Sequence, residues 1–426
     1  MRLILLLLLI KVVFGDSTPV TFESINETLS NFNQEGFDQL ISKLGTNWTD
    51  SEQQETLLHV ASENGYYEAT KALIQKDRRL VNSTTKHHWY PLHYASRYGR
   101  CDIINLLLQN NADVNALAKF GIDLPTTLPS VSALQLAARY GSVECIKELL
   151  IKGANINHQN NDGQTALHAS IWTDKYDIAK LLIKSGINVS ATNKYNQTAL
   201  HAAAWNGNCD IVSLLIENGA EVDALAESNM SALYIASKYG RLECARILLS
   251  NGADINRQTY QGYTSIHVAA ETGNYEVAKL LLERGANINA TDDGGITPLH
   301  AAARHGRCNV VLLLLDNDAD VNALAKFSDD DLTASPSVSS LYFASKYGHA
   351  ECVRILLNKG SKVDQQDRYG KTSLHIAAQK AHYDVVKMLV EKGANTSIRD
   401  NANKRALDLI KNKELVDYLT EKTPSS

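Results

Sequence analysis

Short apolar segments alternate with polar turns along most of the chain, and they recur at a nearly constant interval. Each copy begins with a tetrapeptide such as TALH at Thr165 or TPLH at Thr297, and a short Ala-rich segment follows. A turn that usually contains glycine precedes a longer Leu-rich segment, and polar residues such as GANINA (285–290) end the copy. The apolar residues are three or four positions apart, which places them on one face of an α-helix. Each copy is therefore predicted to form two helices separated by a tight turn.

The tetrapeptides keep register eleven times, and the interval is 33 or 34 residues except for two intervals of 42. Such a period indicates a solenoid, because one copy alone cannot bury its two apolar faces and needs neighbours on both sides. Positions are counted here from the first residue of each tetrapeptide as zero. Repeats 1 to 11 begin at Thr56, Tyr90, Ser132, Thr165, Thr198, Ser231, Thr264, Thr297, Ser339, Thr372 and Arg405.

These repeats resemble those of the ankyrin family. The segment ITPLHAAARHGRCNVVLLLLDNDADVNA (296–323) is close to the family pattern, and the resemblance covers about residues 56–420. It implies an all-α ankyrin-repeat solenoid of about 10–11 helix-turn-helix units with hairpin loops. Ten repeats are expected over 56–404, with an N-terminal helical cap or degenerate repeat over 16–55 and a C-terminal capping repeat and tail over 405–426.

Most repeats have glycine at position +9, Gly141 and Gly306 among them. Glycine adopts positive φ without a steric penalty, so it is expected to form the turn between the two helices. Repeat 4 has Asp174 at this position, and its turn is expected to be distorted.

Residues 1–15, MRLILLLLLIKVVFG, are interpreted as a cleaved secretory signal, which predicts an extracellular protein. The alternative is a membrane anchor, but Lys11 interrupts the apolar run far short of the ~20 residues that a span requires. The chain also contains eight N-x-S/T sequons, which are candidate glycosylation sites. They lie at Asn26, Asn47, Asn82, Asn188, Asn196, Asn229, Asn289 and Asn395.

Composition and motifs argue against catalysis and against nucleic-acid binding. The formal net charge is −5 and no block of basic residues occurs, whereas contacts to phosphates need clustered Lys and Arg. No HExxH, GxSxG or paired-carboxylate motif is present, and no cysteine has a second ligand at CxxC spacing. We therefore expect no enzyme, no cofactor and no metal site. The seven histidines in the tetrapeptides are expected, from the resemblance, to form hydrogen bonds between repeats.

The six cysteines occupy only two positions, +11 in repeats 2, 5 and 8 and +13 in the repeat that follows each. The two positions differ by about 200° around a helix, so in stacked repeats one faces forward and the other back. Helices packed 8–10 Å apart leave roughly 4–5.5 Å between facing Cα atoms, which suits a disulfide. Stacking therefore pairs Cys101 with Cys145, Cys209 with Cys244 and Cys308 with Cys352. The alternative is six buried free thiols that pack as small apolar residues.

In ankyrin proteins the first helices and hairpin tips line a concave surface that binds other proteins, and positions +7 and +8 end the first helix there. Arg, Tyr and Trp, which dominate binding hot spots, are common at these positions. The candidate partner-binding residues are Arg97, Tyr98, Arg139, Tyr140, Trp172, Trp205, Lys238, Tyr239, Arg304, His305, Lys346 and Tyr347. This basic and aromatic stripe favours an acidic protein surface, or a sulfated or sialylated glycan. The alternative is that exposed helix ends simply carry long polar residues.

Each 42-residue interval adds nine residues to a connecting hairpin, in 118–134 and 325–341, and Pro125, Pro129 and Pro336 are expected to stiffen the resulting fingers. The resulting hypothesis is a secreted, non-enzymatic protein that binds a partner protein through its concave surface and these hairpins. One alternative is a toxin or host-directed effector, since the repeats resemble those of spider latrotoxins. Another is a luminal structural scaffold. No nucleic-acid partner and no membrane span are expected, and the oligomeric state stays open.

Overall fold

The computed structural model describes residues 22–119, 130–326, 338–410 and 412–422, so the signal interpretation of residues 1–15 lies outside the described residues. The regular secondary structure of the described residues is almost entirely helical, which confirms the predicted all-α repeat fold. Helices Phe22–Ser30 and Gln34–Leu44 precede repeat 1. The first helices of repeats 1 to 10 are Leu57–Asn64, Pro91–Arg97, Ala133–Tyr140, Ala166–Trp172, Ala199–Asn206, Ala232–Lys238, Ser265–Thr272, Pro298–Arg304, Ser340–Lys346 and Ser373–Gln379.

Each second helix is one or two residues longer than the first helix of its repeat. They span Tyr67–Lys76, Cys101–Gln109, Val143–Ile151, Tyr176–Lys184, Cys209–Glu217, Leu242–Ser250, Tyr275–Glu283, Cys308–Asp316, Ala350–Asn358 and Tyr383–Glu391. Repeat 11 has a short 3₁₀ turn, Ala406–Leu409, followed by helix Lys413–Lys422. Two further 3₁₀ turns are Arg78–Asn82 and Glu227–Asn229.

The chain divides into two compact units, Met1–Ala202 and Ala203–Ser426, called here the N-terminal and C-terminal units. In the N-terminal unit the first helices of repeats 1 to 4 each contact the next, and in the C-terminal unit the same holds for repeats 6 to 10. Their leucines and alanines are buried, as in Leu134 and Ala137 of repeat 3. Small side chains let neighbouring helices approach closely, and this stacking buries the faces that a single repeat leaves open.

The tetrapeptide histidines join each repeat to the next. His59 Nε2 donates to the Trp89 carbonyl at 3.0 Å, while its Nδ1 accepts from the Thr56 backbone at 3.0 Å. His300 makes the same bridge to the Ala323 carbonyl at 3.0 Å. These bonds confirm the predicted role of this histidine column. Burial lowers the pKa to about 4 for His59, His93, His267 and His300, so these side chains are neutral near pH 7.

The turn at +9 departs from the sequence prediction twice. Asp174 adopts φ 57°, the left-handed conformation that glycine adopts elsewhere, so the predicted distortion of repeat 4 is wrong. Asp tolerates this region better than most residues. Gly141, which was expected to have positive φ, has φ −83°. The difference lies in Ser142, whose hydroxyl caps helix Val143–Ile151 by accepting from the Cys145 backbone.

Glycine at +9 serves a second purpose, because a side chain from the next repeat passes over it. Arg241, at +10 of repeat 6, donates through Nε to the Trp205 carbonyl at 3.1 Å, and a Cβ on Gly207 would lie 2.7 Å from Arg241 Cδ. The next repeat thereby satisfies a carbonyl that the end of the first helix leaves unpaired. Analogous +10 donors are Arg100, Asn274, Arg307, His349 and His382.

Short antiparallel pairs form the bases of the two long hairpins. Leu117–Ala118 pairs with Val131–Ser132, and Leu324–Ala325 pairs with Val338–Ser339. The hairpin tips, 120–129 and 327–337, lie outside the described residues, and so do Pro125, Pro129 and Pro336.

Each of the three predicted cysteine pairs is at bonding distance. The Cα–Cα separations are 4.7, 4.8 and 4.8 Å for Cys101–Cys145, Cys209–Cys244 and Cys308–Cys352. These separations fall within the range expected from helix packing, and none of the six cysteines is left as a free thiol. The two cysteines of each pair belong to adjacent repeats, so every pair joins the first turns of two neighbouring second helices.

Candidate protein-binding surface

Each repeat presents two edges. The end of the first helix, the following turn and the start of the second helix form the turn edge. The segment from the end of a second helix to the start of the next first helix forms the loop edge. A first helix of seven or eight residues separates the two edges by about 10–12 Å. All twelve predicted partner-binding residues lie on the turn edge.

In the N-terminal unit the turn edge is organised around Arg97. Its guanidinium carbon lies 5.6 Å from the ring centre of Trp89 and 5.7 Å from that of Tyr98. The ring of Tyr140, from the next repeat, is 5.6 Å away. Arg139 lies 5.4 Å from the same Tyr140 ring. Since Tyr98 and Tyr140 are 42% and 40% exposed, these contacts hold two cations and two rings at the surface.

The C-terminal unit carries a similar group. The Arg304 guanidinium carbon is 6.0 Å from the ring centre of Phe343, and Lys346 Nζ is 5.4 Å from that of Tyr347. Tyr347 is 41% exposed, whereas Phe343 is buried beneath the arginine. His305 Nε2 lies 3.5 Å from a carboxylate oxygen of Glu271.

A third group, in repeats 5 and 6, is more aromatic. The rings of Trp205 and Tyr239 are 4.3 Å apart between centres and tilted by 34°. Lys238 Nζ lies 5.9 Å from the Tyr239 ring centre, and Trp205 is 39% exposed. Trp172, at the corresponding end of repeat 4, is half-buried.

Acidic residues interrupt the stripe that the sequence predicted to be basic and aromatic. Burial raises the pKa of Tyr98, and a hydrogen bond to Glu63 raises it further. Glu55 precedes the first helix of repeat 1 and so belongs to the loop edge, where it accepts from the Tyr94 hydroxyl at 2.5 Å. Sequence reasoning missed these glutamates, although Glu63 and Glu271 both stand at +7 and could have been read from that column. The surface therefore alternates in charge.

The loop edge is polar and nearly uniform. Asn157 Oδ1 accepts from the Asn188 backbone at 2.8 Å, and Asn289 Oδ1 accepts from the Asp320 backbone at 3.0 Å. Six of the eight sequons lie on this edge, at Asn82, Asn188, Asn196, Asn229, Asn289 and Asn395. Of the other two, Asn26 lies in helix Phe22–Ser30 and Asn47 lies between Leu44 and repeat 1.

Within the described parts of the chain, no group of three or more His, Cys, Asp or Glu side chains is placed to hold a metal ion. Across the same residues, none of the helices has the length and apolar character needed to cross a bilayer.

The family model for ankyrin repeats, which spans three copies, matches residues 28–118, 122–193, 188–259, 221–292, 257–325 and 327–400. This chain belongs to the ankyrin-repeat family. The matches cover nearly all of the repeats numbered here and begin inside the segment predicted as an N-terminal cap. Ankyrin repeats form protein-interaction scaffolds, and the fold is typically non-enzymatic.

Individual ankyrin proteins are similar to only part of this chain. An ankyrin repeat protein of fowlpox virus (strain NVSL) is 33% identical over 129 residues, which are 30% of this chain and 36% of the viral protein. Alpha-latrotoxin-Lh1a of Latrodectus hasselti is 30% identical over 123 residues, which are 28% of this chain and 8% of the toxin. The crystal structure of the human ASB11 ankyrin repeat domain is similar at 29% identity and a TM-score of 0.49, covering 54% of this chain and 100% of that domain.

Proposed function

We propose that this chain is a secreted, non-enzymatic ankyrin-repeat protein that binds a partner protein through its turn edge. The observation that carries the proposal is the group around Arg97, where two cations and two exposed tyrosines are held together at the surface. Tyr and Arg are the residues that most often anchor protein interfaces. Holding them in place in the free protein reduces the entropy lost on binding.

Secretion is supported by three independent features. Three paired cysteine sites suit an oxidising compartment, where disulfides persist. The first fifteen residues have the pattern of a cleaved signal. Most sequons lie on the loop edge, so glycans attached there would project away from the turn edge and leave the proposed binding surface accessible.

The partner is proposed to present an acidic protein surface. Arg97, Arg139, Arg304 and Lys346 supply cations on the turn edge of a chain whose formal net charge is −5. Carboxylates would pair with these cations, and apolar groups of the partner would pack on the exposed tyrosine rings. A sulfated or sialylated glycan is the second ligand class that such a surface could accept.

The test begins with the full chain secreted by eukaryotic cells. Non-reducing peptide mapping should recover the three cysteine pairs and glycans on some sequons. Tagged protein is then crosslinked to its extracellular partner, and the partner is identified by mass spectrometry. Six free thiols on an unglycosylated protein kept inside the cell would overturn the secretory part of the proposal.

A matched pair of variants tests the surface itself. Tyr98→Ala combined with Tyr140→Ala should lose the crosslinked partner. Tyr260→Ala is the control, since this tyrosine is 77% exposed but lies on the loop edge. Partner capture that survives the turn-edge change and fails in the Tyr260 variant would place binding on the opposite edge and sink the assignment.

A toxin or host-directed effector is the second candidate. It draws on the 30% identity to alpha-latrotoxin-Lh1a over 123 residues. The fowlpox protein is matched at 33% identity over a similar length, so this likeness does not single out a toxin. We rank it below the extracellular binder.

A further inference from the structure

The turn edge of repeats 1 to 3 and that of repeats 7 to 9 share one arrangement, which starts with an anchored glutamate. Arg100 Nε donates to the Glu63 carbonyl at 3.1 Å, and Arg307 Nε donates to the Glu271 carbonyl at 3.0 Å. Both glutamates stand at +7 and both arginines at +10 of the next repeat. The glutamate backbone is thus held in the same way in both units.

The side chain of each glutamate meets the ring at +8 of the following repeat. Burial and the neighbouring Glu63 carboxylate raise the pKa of the Tyr98 hydroxyl, and His305 Nε2 lies 3.5 Å from Glu271 Oε1. Tyr and His differ in chemistry, but each can donate a hydrogen bond to a carboxylate from this position. Both arrangements therefore combine a glutamate at +7 with a hydrogen-bond donor at +8 of the next repeat.

A buried ring supports the central arginine in both places, although it comes from different positions. Arg97 lies over Trp89, and Arg304 lies over Phe343. Trp89 stands just before its tetrapeptide and packs with Leu136 of the next repeat. At the equivalent places the C-terminal unit has Ile296 and Phe343, which lie in one apolar cluster. Trp89 corresponds in position to Ile296, and Leu136 corresponds to Phe343. The aromatic residue and the aliphatic residue are therefore interchanged, but an aromatic ring lies beneath the arginine in both units.

A second cation and tyrosine complete each arrangement one repeat later. Arg139 lies 5.4 Å from the ring of Tyr140, and Lys346 lies 5.4 Å from the ring of Tyr347. The cysteine pair that joins the two repeats has a sequence separation of 44 in both cases, because both intervals contain the longer hairpin.

Repeats 4 to 6 show that this arrangement is not a consequence of the repeat alone. Position +7 is Trp172 in repeat 4 and Trp205 in repeat 5, where the other two groups have glutamate and arginine. The cysteine separation there is 35, since no hairpin is extended. Glutamate, central arginine and long hairpin thus occur together twice and are absent together once, whereas the second cation and its tyrosine recur in repeat 6 as Lys238 and Tyr239.

We propose that the turn edge carries the same ligand site twice, once in repeats 1–3 and once in repeats 7–9, and that each site binds an acidic protein segment. The inference rests on the proposed function, because it specifies the partner of the same edge. In each site three cations outnumber one glutamate. They are Arg97, Arg100 and Arg139 with Glu63 in the first site, and Arg304, Arg307 and Lys346 with Glu271 in the second. A segment bearing carboxylates complements this excess, and the single glutamate selects against a uniformly acidic ligand.

The stoichiometry of binding tests this inference. The full chain is titrated calorimetrically with a decapeptide of alternating Glu and Ala, and with the Gln and Ala counterpart as control. Two Glu peptides should bind per chain, with an affinity that falls as salt rises, and the Gln peptide should not bind. One Glu peptide per chain, or equal binding of both peptides, would overturn the proposal.

Paired variants assign the two sites. Arg97→Gln with Arg139→Gln should leave one peptide per chain, and so should Arg304→Gln with Lys346→Gln, while the quadruple variant should bind none. Lys152→Gln with Lys184→Gln removes the same charge from the ends of two second helices and should still bind two. Circular dichroism melting checks that every variant is folded. Two peptides bound to the quadruple variant would contradict the assignment.

Two further outcomes separate this inference from the proposed function. If a sulfated heparin tetrasaccharide binds twice and the peptide does not, the acidic-protein ligand is wrong. If the crosslinked partner is lost in the Tyr98 and Tyr140 variant but only one peptide binds to the wild-type chain, the double site falls while the proposed function stands.

Discussion

The two edges of the repeats differ in what varies along them. On the loop edge an Asn or Asp side chain repeatedly accepts a hydrogen bond from a backbone N–H of the next repeat. Asn157 accepts from the Asn188 backbone in one unit, and Asn322 accepts from the Lys362 backbone in the other. On the turn edge the hydrogen bond from the +10 side chain to the preceding repeat recurs, but the side chains at +7 and +8 vary between basic, aromatic and acidic. Uniformity is what stacking alone demands, so the variation on the turn edge is where selection for a partner can act.

Acid is expected to have the largest effect on stability. It protonates the tetrapeptide histidines, which lie next to the loop edge and form hydrogen bonds between repeats. His59, His93, His267 and His300 have pKa values of about 4 in the folded chain against a usual 6.5. Between those values the unfolded chain binds protons that the folded chain does not. The free energy of unfolding should therefore fall as the pH drops from about 6.5 to 4, by up to about 1.4 kcal/mol per pH unit for each histidine. Urea unfolding across this range measures the slope.

The chain contains its own control for that experiment. In repeat 3 the histidine place is taken by Gln135, whose Oε1 accepts from the Ser132 backbone at 3.1 Å and whose Nε2 donates to the Gln164 carbonyl at 2.6 Å. His267→Gln should keep both hydrogen bonds and remove one titrating group. The slope should become shallower by one histidine's share. An unchanged slope would show that the acid sensitivity arises elsewhere.

The next largest effect is expected from alanine substitution of two glycines, one on each edge. Gly207, on the turn edge, has φ 81° and a Cβ there would meet Arg241, whereas Gly219, on the loop edge, has φ 86° and open space around it. Gly219→Ala should lower the free energy of unfolding only by the left-handed backbone strain of roughly 1–2 kcal/mol. Gly207→Ala should add to the same strain a loss of about 1 kcal/mol, because it displaces Arg241 from the Trp205 carbonyl. Equal melting temperatures for the two variants would refute the role given to the crossing side chain.

These elements also mark how far sequence reasoning reaches. Period, helix positions, the histidine bridges and the cysteine pairs follow from one repeat and its stacking, so the sequence predicted them. The ring beneath each central arginine did not follow, because Trp89 and Phe343 stand at different repeat positions and converge only when adjacent repeats are packed. The positive φ predicted for Gly141 was wrong for a similar reason. Its turn depends on how Ser142 caps a helix, which the glycine itself does not reveal.

The smallest expected effect belongs to a single rung of the loop edge. Asn157→Ala removes the acceptor of the Asn188 backbone N–H, but both groups are exposed and water can replace the bond. The loss of stability should be about 0.5–1.5 kcal/mol, and peptide binding on the turn edge should be unchanged, because the first helix separates the two edges. Urea unfolding and the calorimetric titration measure the two quantities on the same sample. A weakened peptide affinity in this variant would mean that the edges are coupled and that the loop edge is more than a structural seam.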